Sequence, residues 1–457
     1  MPQRKLDVVL DSVKRLLRVG ATSNLVNLLQ KQHPADLAQL FSELPDKDRH
    51  AAFSVLGERN SRLAMEALSE LGPEAGAALL ADRSAEDIVK LLQELPSDDA
   101  AAIIDYLPEA LSAAVLELFQ KRPAGGDVGE LLEYAEKTAG RIMNPKVFAL
   151  SEDMTAGEAI TALQNARDVE MVFYLYVIDG RRHLVGVVSL RRLLLVPPPT
   201  PLKRIMTTDL ISARADMDQE EVARLVASYN LLAIPVVDEE NKLVGVITVD
   251  DVIDVIKDEA TEDVYRLAGV SGDDRVFTRP IESLRKRLPW LQVNLVTAFI
   301  AASVVALFEG TIDQWATLAV FMPVVAGMGG NAATQTLTVI VRGIALGELT
   351  WANTRKALLK EAAVGIANGV ACGIIAALVV WLWKGNIWLG AVIGTAMLIN
   401  MFVAATAGTL IPLGLRALKV DPALASSVFI TTLTDVFGFL SFLGLGTLVL
   451  RHFNIGG

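Results

Sequence analysis

The sequence predicts a multidomain membrane protein. The expected parts are a superhelical α-helical N-terminal domain, a duplicated α/β module, a connecting helix and a five-helix transmembrane domain. Three observations predict it. Apolar residues make up 52% of the 457, yet 21% are charged, so the two kinds are segregated along the chain. Residues 284–457 carry 11 Lys+Arg against 6 Asp+Glu, which leaves a net −16 on the part before them. A segment near residue 140 also recurs about 60 residues later. This composition excludes a purely soluble enzyme, a collagen-like or disordered chain and a disulfide-stapled secreted one. The single cysteine, Cys372, forms no intrachain disulfide, and four scattered histidines do not make a zinc or haem site. The acidic balance argues against nucleic acid and suits cations.

Residues 1–136 read as an acidic helical domain. Apolar residues recur at helical spacing, as in Leu37, Leu40, Phe41 and Leu44. Prolines punctuate it at 34, 45, 73, 96 and 108, and ELPDKD recurs as ELPSDD 51 residues on. Stacked short helices are the simplest account. Acids that follow the prolines, such as Asp46 and Asp98, suit helix N-termini.

The duplicated module occupies 137–200 and 201–257. RIMNPKVFALSEDMTAGEAITAL matches RIMTTDLISARADMDQEEVARLV at an offset of 63, and HLVGVVSLRRLL matches KLVGVITVDDVI at 59. Each copy mixes short β-rich runs with helical pattern. Pro197–Pro199 and Pro201 bracket a stiff, extended linker. The tandem copies resemble a pair of CBS domains, a module that binds adenine nucleotides in many proteins. In that family a Thr/Ser-x-x-Asp after the glycine holds ribose or phosphate. The second copy has it as Thr248 and Asp251; the first has Ser189 and Arg192 and loses the acid. Two readings of Asp251 stay open: a nucleotide ligand, since a carboxylate accepts from two ribose hydroxyls, or a cap on the following helix.

Residues 258–283 read as a connecting helix. The stretch 250–263 contains Asp250, Asp251, Asp254, Asp258, Glu259, Glu262 and Asp263, offset only by Lys257. On a helix Asp254 and Asp258 are one turn apart, as are Glu259 and Asp263, and like charges there repel. A divalent cation converts that repulsion into attraction. The competing reading is a solvated charged face.

Five apolar stretches follow, read as Trp290–Phe308, Trp315–Val341, Ala362–Trp383, Ile387–Leu415 and Leu424–Leu450. Each reaches the roughly 20 residues that cross a hydrocarbon layer. Ten basic residues flank one side and two the other, which puts the N-terminal part in the cytoplasm and the C-terminus outside. The opening MPQRKLDVVLDSVKRLL lacks the long apolar core of a signal peptide. Asp435 lies in mid-span, where an ionised carboxylate costs roughly 2.5–3.5 kcal/mol, so it is a functional candidate by default. Thr431, Thr432 and Thr434 add polar oxygen. Glu361 and Asp421 fall at span ends, where acids are cheap. The second span reads as a broken helix. Pro323 frees a carbonyl, glycines 327, 329 and 330 permit close approach, and the amides of Asn331 and Gln335 share a face. An all-oxygen path fits Mg²⁺, which keeps much of its water shell; chemistry alone does not separate it from Mn²⁺ or Co²⁺.

The order of these parts resembles the MgtE magnesium channel family over essentially the whole chain. The strongest motif is PVVAGMGGNAATQTLTVIVRGIALGEL (323–349), supported by EATEDVYRLAGV (259–270), DPAL (421–424) and TTLTDVFGF around Asp435. The resemblance implies a homodimeric Mg²⁺ channel of the cell (inner) membrane with its pore on the two-fold axis. Asp435 would bind hydrated Mg²⁺, with Asn331, Gln335 and Thr431 nearby. It implies a regulatory acid set of Asp98, Asp251, Asp254, Glu259, Glu262, Asp263 and Asp421, through which cytosolic Mg²⁺ closes the pore. ATP at Thr248 and Asp251 would tune that response. The chain departs from the family at Ala333, where many members carry glycine, and at Asn230 and Ala102, where members often carry acids; weaker Mg²⁺ inhibition is expected. The alternative is a membrane-anchored nucleotide or cation sensor without flux. An enzyme is not indicated, because no nucleophile–base pair appears and GMGGN sits in a span with no strand before it.

Overall fold

The computed structural model describes residues 3–122, 125–166, 174–270, 274, 276, 278–425 and 427–453, and it divides into two compact units, Met1–Ile256 and Lys257–Gly457. In the first unit, helices succeed one another from Gln3–Val19 to Gly125–Glu133. The five prolines singled out in the N-terminal helical domain all stand at helix starts. Pro34 and Pro73 are first-turn residues, and Pro45, Pro96 and Pro108 precede their helices. That placement wastes no backbone donor, because first-turn N–H groups lack intrahelical acceptors anyway. Asp46, Glu74, Asp98 and Glu109 follow in first turns.

Each repeat forms a three-stranded sheet: β1 (Ala149–Ser151), β2 (Tyr174–Ile178) and β3 (Leu184–Ser189), then β4 (Ala213–Arg214), β5 (Ala233–Val237) and β6 (Leu243–Thr248). In both, the first strand runs parallel to the second and the second antiparallel to the third. The register pair Tyr174–Ser189 becomes Ala233–Thr248, the same offset of 59 seen in the sequence. The repeats exchange their opening segments. Asn144 bridges to Val246 of the second sheet, and Thr207 bridges to Val187 of the first. Met143 seats on Gly245 and Met206 on Gly186, where any side chain would collide with the methionine sulfur. One apolar core runs through the N-terminal helices and the second repeat, from Leu6 to Val255.

The helix Val249–Leu267 begins directly after β6, so it starts inside the second repeat and not at residue 258. Of the expected connecting segment, 271–273, 275 and 277 lie outside the described residues.

The second unit contains five helices long and apolar enough to cross a membrane: Pro280–Ala306, Thr317–Ala345, Thr354–Lys384, Ile387–Ala417 and Ser427–Phe453. They are called the first to fifth spanning helices below. Three differ from expectation: the third begins eight residues earlier, at Thr354. The first begins ten residues earlier, because IESLRKRL continues it into a polar turn and Pro289 is accommodated inside. The second is continuous through Pro323 and the glycines, not broken. A proline there removes one backbone bond, and Gly329 and Gly330 serve close packing, against Asn400 and Thr431, while Gly327 is exposed. The third and fourth pack closely along Gly365, Gly369 and Gly373, and at Gly373 a methyl would press on the carbonyl of Gly394 at 2.7 Å. Ala333 is fully buried, so its methyl fills core space.

Candidate functional site: an intramembrane carboxylate and a buried acidic pair

Asp435 lies about a third of the way along the fifth spanning helix, half-buried. No hydrogen bond or ion pair engages its carboxylate among the described residues. One turn earlier is Thr431. The hydroxyls of Thr431 and Thr432 donate back to the Val428 carbonyl at 3.1 and 2.6 Å, and that of Thr434 to the Thr431 carbonyl at 2.9 Å. With their protons spent on the helix, the half-buried Thr431 and Thr432 oxygens present lone pairs, the right polarity for a hydrated cation, whereas Thr434 is fully buried. Gly330 of the second spanning helix lies against Thr431, a built Cβ falling 3.4 Å from its methyl. The structure therefore brings the GGN segment to the helix that carries Asp435. Asn331 and Gln335 stand one turn apart, both exposed within a single chain.

Two intramembrane residues were missed. Asn400, in the middle of the fourth spanning helix, is fully buried and donates to the Val325 carbonyl at 2.9 Å. A lone amide in a 31-residue apolar helix was the available signal. Glu361 was expected at a span end. The third spanning helix starts at Thr354, so Glu361 is inside it and 4% exposed. It pairs with Lys360 and accepts from the Thr336 hydroxyl at 3.4 Å. Interior carboxylates thus number two among the described residues.

In the first unit, Asp98 and Asp251 approach each other. Asp98 opens the helix Ser97–Asp105, and its Oδ1 is buried with no hydrogen-bond partner. Burial, then the negative charges of Asp251 and Asp99, push its pKa well above the usual carboxylate range. Asp251 is raised to about 6, first by burial, with Asp250 and Asp99 adding to it and Thr248 opposing. The Thr248 hydroxyl donates to Asp251 Oδ2 at 2.6 Å and its N–H to the same oxygen at 3.3 Å. Asp251 is therefore a helix cap and at the same time one face of an acidic pair. In the first repeat Ser189 Oγ accepts from the Arg192 N–H at 3.3 Å instead.

The remaining acids do not join this pair. Asp254 is exposed. In the second unit, Asp263 is raised by burial and by Glu259 and Glu262, against Arg266 and Arg342. Arg266, not singled out in the sequence, pairs with both Glu262 and Asp421. Asp421 also accepts from the Ala423 N–H at 2.8 Å. Among the described residues no three Asp, Glu, His or Cys side chains gather as a metal cage. The expected set is dispersed because five of its seven members are spread along one long helix, Asp98 and Asp421 lie on other elements, and Arg266 satisfies two of them. Asn230 is left-handed, with φ of 50°, and closes the helix Gln219–Tyr229, so asparagine there has a backbone reason.

Known proteins resemble the chain along its length. A divalent cation transporter model matches residues 322–445, an MgtE intracellular N domain 32–137, and CBS domains 139–197 and 202–258. The magnesium transporter MgtE of Enterococcus faecalis is 39% identical over 329 residues, 72% of each chain. That of Bacillus subtilis is 40% identical over 319 residues, 69% of this chain and 70% of its own. Among solved structures, the cytosolic domain of the Mg²⁺ channel MgtE in complex with ATP superposes with a TM-score of 0.50 at 37% identity, over 54% of this chain and 99% of that one.

Proposed function

The chain belongs to the MgtE family of divalent cation transporters, and from that premise we propose that it is a Mg²⁺-selective channel closed by the Mg²⁺ it admits. One observation carries the pore assignment: Asp435 is an intramembrane carboxylate with no partner among the described residues, one turn from Thr431 and beside the GGN segment. A hydrated divalent ion supplies the missing counter-charge. Two protomers on a two-fold axis would face their Asp435 side chains toward one ion, which keeps its inner water and meets oxygens through it. Asn331 and Gln335, exposed in one chain, would line that path.

Closure is assigned to the acids of the soluble part. The buried, unpartnered Asp98 Oδ1 beside Asp251 fits a cation, since a bound Mg²⁺ neutralises both and ends the orphaned acceptor. Asp254, Glu259, Glu262, Asp263 and Asp421 would contribute further regulatory carboxylates. Mg²⁺ binds the closed arrangement better, which is what a population shift requires. Thr248 and Asp251 fit the ribose–phosphate side of ATP, which would tune the response. The basic flanks favour a cytoplasmic N-terminal part, an outside C-terminus and the cell (inner) membrane. This is a transporter, not an enzyme.

The test is Mg²⁺ flux into proteoliposomes, wild type beside Asp435→Ala, at low and high Mg²⁺ on the cytoplasmic face. Flux that requires Asp435 and falls at high Mg²⁺ supports pore and sensor. Flux indifferent to cytoplasmic Mg²⁺ removes the sensor. Absence of flux from folded protein favours the anchored sensor instead.

A further inference from the structure

We propose that Asn400 is a positioning residue that sets ion selectivity by fixing the GGN segment against the Asp435 helix. The inference rests on the pore reading above. Asn400 is fully buried in the fourth spanning helix, the most enclosed of the five. Burying an amide in hydrocarbon is unfavourable unless it bonds, and Asn400 bonds once: Nδ2 donates to the Val325 carbonyl, while Oδ1 is buried with no partner. A half-satisfied amide is a poor choice for stability alone.

Its surroundings explain the choice. The side chain fits a slot between Gly329 of the second spanning helix and Gly438 of the fifth. A methyl at Gly438 would come within 2.7 Å of Nδ2, and one at Gly329 closer still. Both glycines thus admit one amide, whose thickness spaces the two helices. Val325 and Gly329 are one turn apart, so the amide grips a single row of the second helix and fixes its register and rotation. Asn331, two residues after Gly329, lies about 200° around that helix. It is exposed while Gly329 is buried. Asp435 precedes Gly438 by three residues, nearly one turn. The Asn400 amide therefore holds the second helix from the face opposite Asn331, and the fifth on nearly the same face as Asp435, one turn away. A filter that reads a hydrated ion through oxygen placement is sensitive to that spacing.

The test uses the full chain in proteoliposomes, with uptake of Mg²⁺ and of Ca²⁺ measured separately and each normalised to folded, inserted protein. Variants are Asn400→Leu, of similar volume without polar atoms, and Asn400→Val, smaller and likewise without polar atoms. Asp435→Ala and wild type run in parallel. The Mg²⁺:Ca²⁺ flux ratio is expected to fall about tenfold in both Asn400 variants. A merely structural residue lowers the yield of folded protein and leaves the ratio alone. If either variant fails to fold, Gly438→Ala displaces the same amide from the other side and must lower the ratio too. A ratio within about twofold of wild type in the folded variants, with Asp435→Ala inactive, overturns the role of Asn400 and spares the pore. Undiminished flux in Asp435→Ala overturns the pore reading, and this inference with it.

Discussion

Arg266 pairs with Asp421. The arginine is in the last turn of the helix that leaves the second repeat, and the aspartate lies just ahead of the fifth spanning helix; the same guanidinium also holds Glu262. Arg266 thus does permanently what a divalent cation would do reversibly, joining two carboxylates. Replacing it by glutamine leaves those acids to repel each other until Mg²⁺ arrives. Arg266→Gln should raise flux at low Mg²⁺ and make closure depend more steeply on Mg²⁺, with a shift of about tenfold in the half-closing concentration. Proteoliposome flux across a Mg²⁺ titration reads both, and a wild-type curve would remove Arg266 from the gate.

The acidic pair of the first unit predicts a response to pH. Asp251 has a folded pKa of about 6, above its ordinary value, and Asp98 is also raised. Between the ordinary range and about 6 the folded state takes up a proton that the unfolded chain does not. Without Mg²⁺, stability should therefore rise as pH falls from 7.5 to 5.5, by roughly 1 kcal/mol from Asp251, with Asp98 acting in the same direction. Mg²⁺ should lose its stabilising effect over the same window, because protons and cation compete for the same oxygens. Thermal unfolding of the full chain in detergent, with and without Mg²⁺, checks both slopes. Asp98→Asn and Asp251→Asn should each flatten them.

How much of this was legible depended on whether the cause was local. The repeat offset carried through to the strand register because each copy folds by its own pattern, and the N-terminal prolines marked helix starts because their missing N–H costs no backbone bond there. Asp435 stood out because a mid-span carboxylate is costly wherever its neighbours lie. Asn400, Glu361 and Arg266 did not stand out. Their meaning lies in partners 75, 25 and 155 residues away, which no periodicity encodes. The broken second span was misjudged for the same reason: Gly329 serves the Asn400 amide rather than an unwound turn.

Gly269 ends the connecting helix with φ of +68°, and the Trp290 indole lies where its side chain would be. Trp290 in turn meets Phe429 edge-on, with ring centroids 6.1 Å apart. Gly269→Ala would incur about 1–2 kcal/mol of left-handed strain and also displace the indole. The variant should unfold at lower temperature than wild type. It should also show altered Mg²⁺ closure, since Trp290 ties this turn to the start of the Asp435 helix. A Gly269→Ala protein with wild-type melting and closure would show that the contact is incidental.

Thr248 and Asp251 separate the nucleotide from the cation. Asp251 serves both proposals, as partner of Asp98 and as the acid after the Thr248 strand end, whereas Thr248 reaches only Asp251 and the helix start. A ligand at about one hundred times its dissociation constant stabilises its host by about 2.7 kcal/mol, enough to move a melting curve. Thr248→Val removes the hydroxyl that would meet ribose or phosphate and leaves both carboxylates. It should abolish the stabilisation by ATP and retain that by Mg²⁺. Asp251→Asn should weaken both, and Asp98→Asn only that by Mg²⁺. Thermal shifts of the full chain with each ligand alone distinguish the three. If Thr248→Val keeps its ATP response, the hydroxyl serves only the start of the helix Val249–Leu267, and the nucleotide must be sought elsewhere in the repeats.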